Sequence, residues 1–152
     1  MAPKKELAVA ALRNGIVIDH IPSKALFKCV KILGLEKLDT QLTIGNNLHS
    51  SKLESKGIIK VADVNFPEKT LNRIALIAPT AVVNTIRDFE VTEKREVTLP
   101  DTIIGIVKCD NPKCITNNEP MYTRFSVVSR EPVVIKCHYC SHMVKADKAN
   151  IL

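Results

Sequence analysis

Cys109 and Cys114 form a CxxxxC pair, and Cys137 and Cys140 form a CxxC pair further along the chain. Each spacing places two sulfurs on one side of a tight loop, and two such loops can close a tetrahedron around one zinc ion with Zn–S near ~2.3 Å. Four thiolates saturate zinc and leave no position for a water, so the expected ion is structural and not hydrolytic. Binding energies of roughly 10 to 16 kcal/mol for such sites exceed the stability of a small domain, so the metal would decide whether the surrounding segment folds. His138 and His142 flank the second pair, and with four thiols already present they read as outer or solvent-facing groups. The remaining cysteine, Cys29, falls on an apolar helical stripe and reads as core. No GxSxG, P-loop, GxGxxG or HExxH pattern occurs, and no catalytic activity is expected of the chain.

A second group of residues suits a phosphorylated ligand. Asp19 and His20 close one strand-like run, Lys56 and Lys60 bracket the start of another, and Asn84, Ile86 and Lys94 accompany the last. A nucleoside triphosphate needs cations for its phosphates, a carboxylate or amide for the ribose hydroxyls, and backbone groups for the base edge. Asn84 and Ile86 share strand parity and so face the same way. By pattern alone, a solvated surface with scattered lysines is the stronger reading of these residues.

The elements that must carry these groups follow from periodicity. Residues 6–12 and 16–21 read as extended runs around the turn-like Arg13-Asn14-Gly15. After Pro22, the spacing of Leu26, Cys29, Val30 and Leu33 predicts a helix that Gly34 ends. Residues 41–48 and 57–64 alternate as strands, Pro67 opens a second helix with Leu71, Ile74, Ala75 and Ala78 on its apolar side, and residues 80–91 return to strand. This order is close to the split βαβ or ferredoxin-like pattern, an α+β fold in which helices cover one face of an antiparallel sheet. Residues 92–100, TEKREVTLP, are charged and lack an apolar period, so they read as a linker. A front domain over residues 1–99 and a small, mostly β, zinc-binding rear domain over residues 100–152 are expected.

Composition narrows the classes further. The chain has 152 residues, 45% hydrophobic and 25% charged, as in ordinary soluble proteins. No apolar run approaches the roughly 20 residues needed to span a bilayer, so no membrane partner is expected. The opening run MAPKKELAVAALRNG reaches Glu6 and Arg13 too soon for a signal-peptide core, which predicts a cytoplasmic chain and disfavours disulfides. The formal charge of +6 suggests polyanions. A tetrathiolate zinc site would lower that charge to about +4. Aromatic residues are scarce at 4%, and Asp110, Glu119 and Glu131 interrupt the bases of the cysteine-rich segment. A zinc-ribbon protein binding nucleic acid is therefore the weaker reading.

The runs GIVIDHIP (15–22), LTIGNNL (42–48) and LIAPTAVVNTI (76–86), followed by the two cysteine pairs, resemble the regulatory chain of aspartate carbamoyltransferase over nearly the whole length. That resemblance implies a non-catalytic subunit in pyrimidine biosynthesis. Its front, allosteric domain would bind ATP, CTP and UTP as effectors, and its zinc domain would contact the catalytic chain. By matching position, Asp19 and Lys60 would meet ribose and base with Val9 alongside, Ala11 and Leu12 would offer backbone to the base, and Ile86 would pack on it. Asn84, Val91, Lys94 and His20 would surround the phosphates, and Lys56 completes the basic set. Phe89 stands where the family has Tyr, Leu12 where Ile is familiar, and Lys113 and Ser141 where Asn and Glu are; Asn111 matches a catalytic-chain contact. The resemblance also implies regulatory homodimers that bridge two catalytic trimers, six chains of each kind.

Overall fold

The structure, a computed structural model, describes residues 12–51 and 53–152. Val9, Ala11 and the expected strand over residues 6–12, apart from Leu12, lie outside the described residues. The front region runs β1 (Gly15–Pro22), α1 (Leu26–Leu33), β2 (Leu42–His49), β3 (Ser55–Ala62), α2 (Glu68–Asn72), β4 (Val82–Arg87) and β5 (Glu90–Glu96). The strands form one five-stranded sheet in the order β2-β3-β1-β4-β5, and each pair is antiparallel. Its first four strands and two helices follow the ferredoxin-like arrangement.

Local chemistry explains the helices. On α1, Leu26, Cys29, Ile32 and Leu33 are buried, close to the spacing read from sequence. Gly34 ends the helix with φ 64° and ψ 32°, a left-handed cap that glycine adopts without steric cost. Pro67 precedes the first turn of α2, where a missing N–H costs nothing, and a 3₁₀ segment (Arg73–Leu76) prolongs the helix. Ile16, Ile18, Ile59, Val61 and Val83 point from the sheet into the same core as Leu26 and Leu71. Helix and sheet meet closely at Gly57, where an added Cβ would lie 2.7 Å from Leu26 Cδ1.

Two expectations change. Residues 92–96, expected within a linker, belong to β5, with Asn84↔Lys94 and Val83↔Arg95 in register. An edge strand exposed at every residue but Arg95 carries charges in place of an apolar period, so backbone pairing and not patterning creates it. The extended connection begins only at Val97. The strand expected over residues 80–91 is broken by Asp88 and Phe89, whose φ values of 49° and 67° make a tight hairpin turn. Both residues at positive φ is the type I′ geometry, usually signalled by glycine, which this turn lacks.

The rear region comprises β6 (Thr102–Ile104), β7 (Val107–Lys108), β8 (Arg124–Arg130), β9 (Val133–Cys137), β10 (Met143–Lys145) and β11 (Asn150–Ile151). A four-stranded sheet runs β10-β9-β8-β6, and β11 pairs with β7. Phe125, Ile103, Ile135 and Val107 are its fully buried apolar residues. The two regions touch through one continuous buried cluster and through Lys31, whose Nζ donates to the Ile151 carbonyl at 2.9 Å. Among the described residues no helix is long and apolar enough to cross a membrane.

Candidate metal centre and ligand-binding face

Four thiols converge at the end of the rear sheet. Cys109 follows β7, Cys114 opens a 3₁₀ turn (Ile115–Asn117), Cys137 ends β9, and Cys140 closes the turn after it. All four sulfurs lie within 4.8 Å of one another, with Cys109–Cys140 at 3.6 Å and Cys114–Cys137 at 3.7 Å. A tetrahedron with ~2.3 Å metal–sulfur bonds has edges of about 3.8 Å, close to the two shortest separations, so this donor set fits one ion with small adjustments. Both loops are closed by backbone bonds. Cys114 N–H donates to the Asn111 carbonyl at 2.9 Å and Ser141 N–H to the Cys137 carbonyl at 3.0 Å, with Ser141 at φ 65°.

Two residues that sequence reasoning passed over fasten the first loop. Asn117 Nδ2 donates to the carbonyls of Cys109 (2.9 Å) and Asn111 (2.8 Å), and Asn118 Nδ2 to those of Cys114 (2.9 Å) and Pro112 (3.2 Å). Consecutive asparagines just after a ligand were the available signal, since each amide can satisfy carbonyls that a metal loop turns away from any strand. His138 and His142 are exposed and stand outside the sulfur cluster, as expected.

Electrostatics at the thiols favour a cation. Burial pushes Cys109 up to about 12, with the neighbouring thiols adding to the rise against a lowering bond from the Asn111 backbone. Burial likewise raises Cys137. At Cys140 burial acts upward too, but hydrogen bonds from the His142 backbone, the Asn111 side chain and the Cys109 and Cys137 thiols outweigh it and bring the group down to about 6. One thiolate, at Cys140, thus forms easily while Cys109 and Cys137 resist ionising beside it, and a bound divalent ion would remove that conflict.

The second set of residues comes together on the front sheet. The register aligns Thr43, Lys60, Val17, Asn84 and Lys94 in one row across all five strands. Gly15, Ile86 and Val91 align in the next row, and Asp19 lies opposite Val82. The neighbours of opposite parity, Ile16, Ile18, Ile59, Val61 and Val83, are buried beneath the helices, while on the other parity Ile86 is buried as well. By alternation, Asp19, Lys56, Lys60, Asn84, Ile86, Val91 and Lys94 therefore share the opposite face. On it Asp19 Oδ1 accepts from Lys56 Nζ at 2.9 Å.

His20 departs from the alternation. It sits in a bulge of β1 at φ 58°, its N–H bonded to Asp19 Oδ1 at 2.6 Å and its carbonyl accepting from Thr80 Oγ1 at 2.8 Å. Bulges re-aim side chains, and here His20 turns into a cavity of 640 Å³ lined also by Leu53, Thr80 and Lys94. His20 Nδ1 is buried there without a hydrogen-bond partner, the kind of orphaned polar atom that a ligand would satisfy. Leu12 is half-buried beside Gly15, at the end of the face away from His20.

Comparison with known proteins agrees with this two-part geometry. Residues 7–98 match the family model described as aspartate carbamoyltransferase regulatory chain, allosteric domain, and residues 101–150 match the metal binding domain of the same chain. The chain is 59% identical to the aspartate carbamoyltransferase regulatory chain of Parabacteroides distasonis, covering 95% of this chain and 94% of that one. It is 55% identical to the protein of that name from Porphyromonas gingivalis, over 98% and 99% of the two chains. Against the one from the archaeon Thermococcus sibiricus it is 49% identical over 94% and 95%. With an allosteric domain in front, a four-cysteine metal domain behind, and such relatives over nearly the full length, the chain belongs to the aspartate carbamoyltransferase regulatory chain family, the non-catalytic subunits of that enzyme.

Proposed function

We propose that the front domain binds ATP, CTP and UTP in one pocket as allosteric effectors in pyrimidine biosynthesis, and that the rear domain, ordered by one zinc ion, docks on the catalytic chains. The observation that carries this reading is the row Lys60–Val17–Asn84–Lys94, with Asp19 two residues along β1 from Val17 and His20 in the bulge just beyond. With strands about 4.8 Å apart, Lys60 and Lys94 are separated by roughly 14 Å, so one cation can meet the base and ribose while the other meets the phosphates. Lys94 and His20 face the same cavity and suit the phosphate end. Asp19, already bridged to Lys56, suits ribose hydroxyls, and Ile86 and Val91 supply apolar contact for the base. Leu12 completes the set at the base end, and the family resemblance assigns Val9 and Ala11 to the nucleotide as well. Equilibrium dialysis with ATP and CTP tests the reading: each displaces the other, and independent, additive saturation would refute a shared pocket.

Zinc is the ion that four clustered thiolates, three of them buried, favour for a closed, redox-silent site, held by Cys109, Cys114, Cys137 and Cys140. Beside those ligands in sequence the rear domain exposes Ile115 and Tyr139, and beside Gly105 it exposes Tyr122, apolar surface suited to a subunit contact. For the pairing of regulatory chains, β2 is the favoured edge. Its LTIGNNLH run carries no acidic or lysine residue, whereas the opposite edge, β5, reads EVTEKRE. Charges guard β5 against strand addition and nothing comparable guards β2. Such dimers, each bridging two catalytic trimers, give a complex of six chains of each kind in the cytoplasm, and its mass by light scattering would expose a different stoichiometry.

A further inference from the structure

The strand that presents Lys94 to the ligand face also holds the connection between the domains. Lys94 and Arg95 are successive residues of β5 and so point to opposite faces of the sheet. On the helix side, Arg95 Nη1 donates to Asn72 Oδ1 at 3.4 Å, at the last residue of α2. The same Asn72 Oδ1 accepts from the backbone N–H of Thr98 at 3.0 Å, the second residue after β5. One amide oxygen therefore ties β5, α2 and the interdomain connection at a single point. Just beyond it, a 480 Å³ cavity lies between Glu68, Asn72 and Arg73 and Thr102, Ile103 and Ile106 of the rear domain, beside the buried cluster the two regions share.

The knot has an alternative arrangement at hand. Arg95 lies 3.8 Å from Glu68 Oε1 and 3.7 Å from Glu93 Oε1, so its guanidinium is shared between two carboxylates and the Asn72 amide, and none of the three contacts is short. A displacement of β5 by a fraction of an ångström suffices to pass Arg95 from Asn72 to a carboxylate. Thr98 then keeps or loses its acceptor according to where α2 and β5 stand. An element with two discrete hydrogen-bonded states, biased from one side by a ligand and read on the other by a domain orientation, is what allosteric coupling requires.

We propose that Asn72 is a positioning residue for allosteric coupling: it converts phosphate engagement at Lys94 into a change at Thr98 and thereby in the orientation of the rear domain. The inference rests on the reading of the front domain as a nucleotide site. Asn72 itself lies on the sheet's helix side, and among the described residues its side-chain hydrogen bonds go to Arg95 and Thr98.

The test uses the assembled complex with catalytic chains and CTP as the probe. CTP affinity is measured with and without a saturating active-site ligand, because coupling between two sites is reciprocal and appears as the ratio of those two affinities. For Asn72→Ala the expected result is unchanged zinc content and assembly, a CTP affinity without the active-site ligand close to that of the parent chain, and a ratio reduced about threefold or more toward unity. Asn72→Asp, which keeps an acceptor oxygen in place, restores the ratio. If Asn72→Ala perturbs assembly, Asn72→Gln serves instead, since it keeps the amide but moves the oxygen by one methylene, and the same loss of ratio is expected. A parent-like ratio in a well-assembled variant overturns the proposal, and so does a loss of CTP affinity that leaves the ratio intact. Absence of CTP binding in the parent complex is a different failure, that of the nucleotide reading itself.

Discussion

The two halves of this chain bury cysteine for opposite reasons. Cys29 is fully buried on α1 among Leu26, Leu33 and the sheet's isoleucines, and burial pushes its thiol up to about 12. It is one small apolar side chain in a core that closes without it. The four rear cysteines face one another, and apart from them the rear core is little more than Phe125, Ile103, Ile106, Val107 and Ile135 with two alanines. A front domain of five strands and two helices can fold on burial alone, whereas a rear domain of about 50 residues has too little core and needs a cross-link. The same residue type is thus filler in one region and the deciding element of stability in the other.

Metal removal separates them most sharply. Chelation, or Cys114→Ser, withdraws roughly 10 kcal/mol or more from a region whose whole stability is of the same order, so the rear sheet is expected to unfold while the front sheet persists. Amide hydrogen exchange resolves this by segment: protection is lost over residues 101–152 and retained in β1, β3 and β4. Uniform loss across both would break the comparison. CTP binding by the metal-free chain is expected to survive, and association with catalytic chains is expected to fail.

The converse lesion lies in the front core. Ile18→Ala removes a fully buried side chain facing the helices and is expected to cost about 2 to 5 kcal/mol of front-domain stability. Denaturant unfolding followed in the front domain checks the loss. Zinc content is expected to stay at one ion per chain, and metal released in step with front-domain unfolding would show that the halves are not separable.

Lys94→Ala acts on function with little effect on either core, because the side chain is exposed on the edge strand. Losing one charge-assisted contact is expected to weaken CTP by about tenfold and cytidine hardly at all. Equal losses for both, measured by dialysis, would move Lys94 away from the phosphates.

The smallest effect belongs to Cys29. Its unfolded thiol titrates near 9.0 and its folded thiol at about 12, so the unfolded chain sheds the proton first as pH rises. This group's contribution is full below pH 9 and declines as pH climbs from 9 toward 12, so front-domain stability is expected to slope downward there, and Cys29→Ala to flatten the slope. At pH 8 a thiol reagent is expected to modify the rear cysteines once metal is removed and to spare Cys29 until the front domain unfolds.

What the sequence alone determined is whatever depends on short-range spacing. The metal donors were legible because Cys109/Cys114 and Cys137/Cys140 each lie within one loop, where a few covalent bonds fix how far apart two sulfurs can be. Helix α1 was legible from its apolar stripe and its Gly34 stop, and the ferredoxin-like order from the alternation of strand and helix signals. Pattern raised Asp19, His20, Lys56, Lys60, Asn84, Ile86 and Lys94 as candidates for a phosphorylated ligand, but only family resemblance favoured that reading, since a lysine looks alike on a ligand face and on a solvated one. Only the tertiary structure decided that Lys60, Asn84 and Lys94 share a row, that a bulge turns His20 into the same cavity as Lys94, and that residues 90–96 form a strand at all. Those facts rest on cross-strand register, on a glycine-free hairpin at Asp88-Phe89, and on amide bonds from Asn72, Asn117 and Asn118 to partners set by the fold. Such pairings join residues through space, and no local periodicity encodes which strand lies beside which, or in what register.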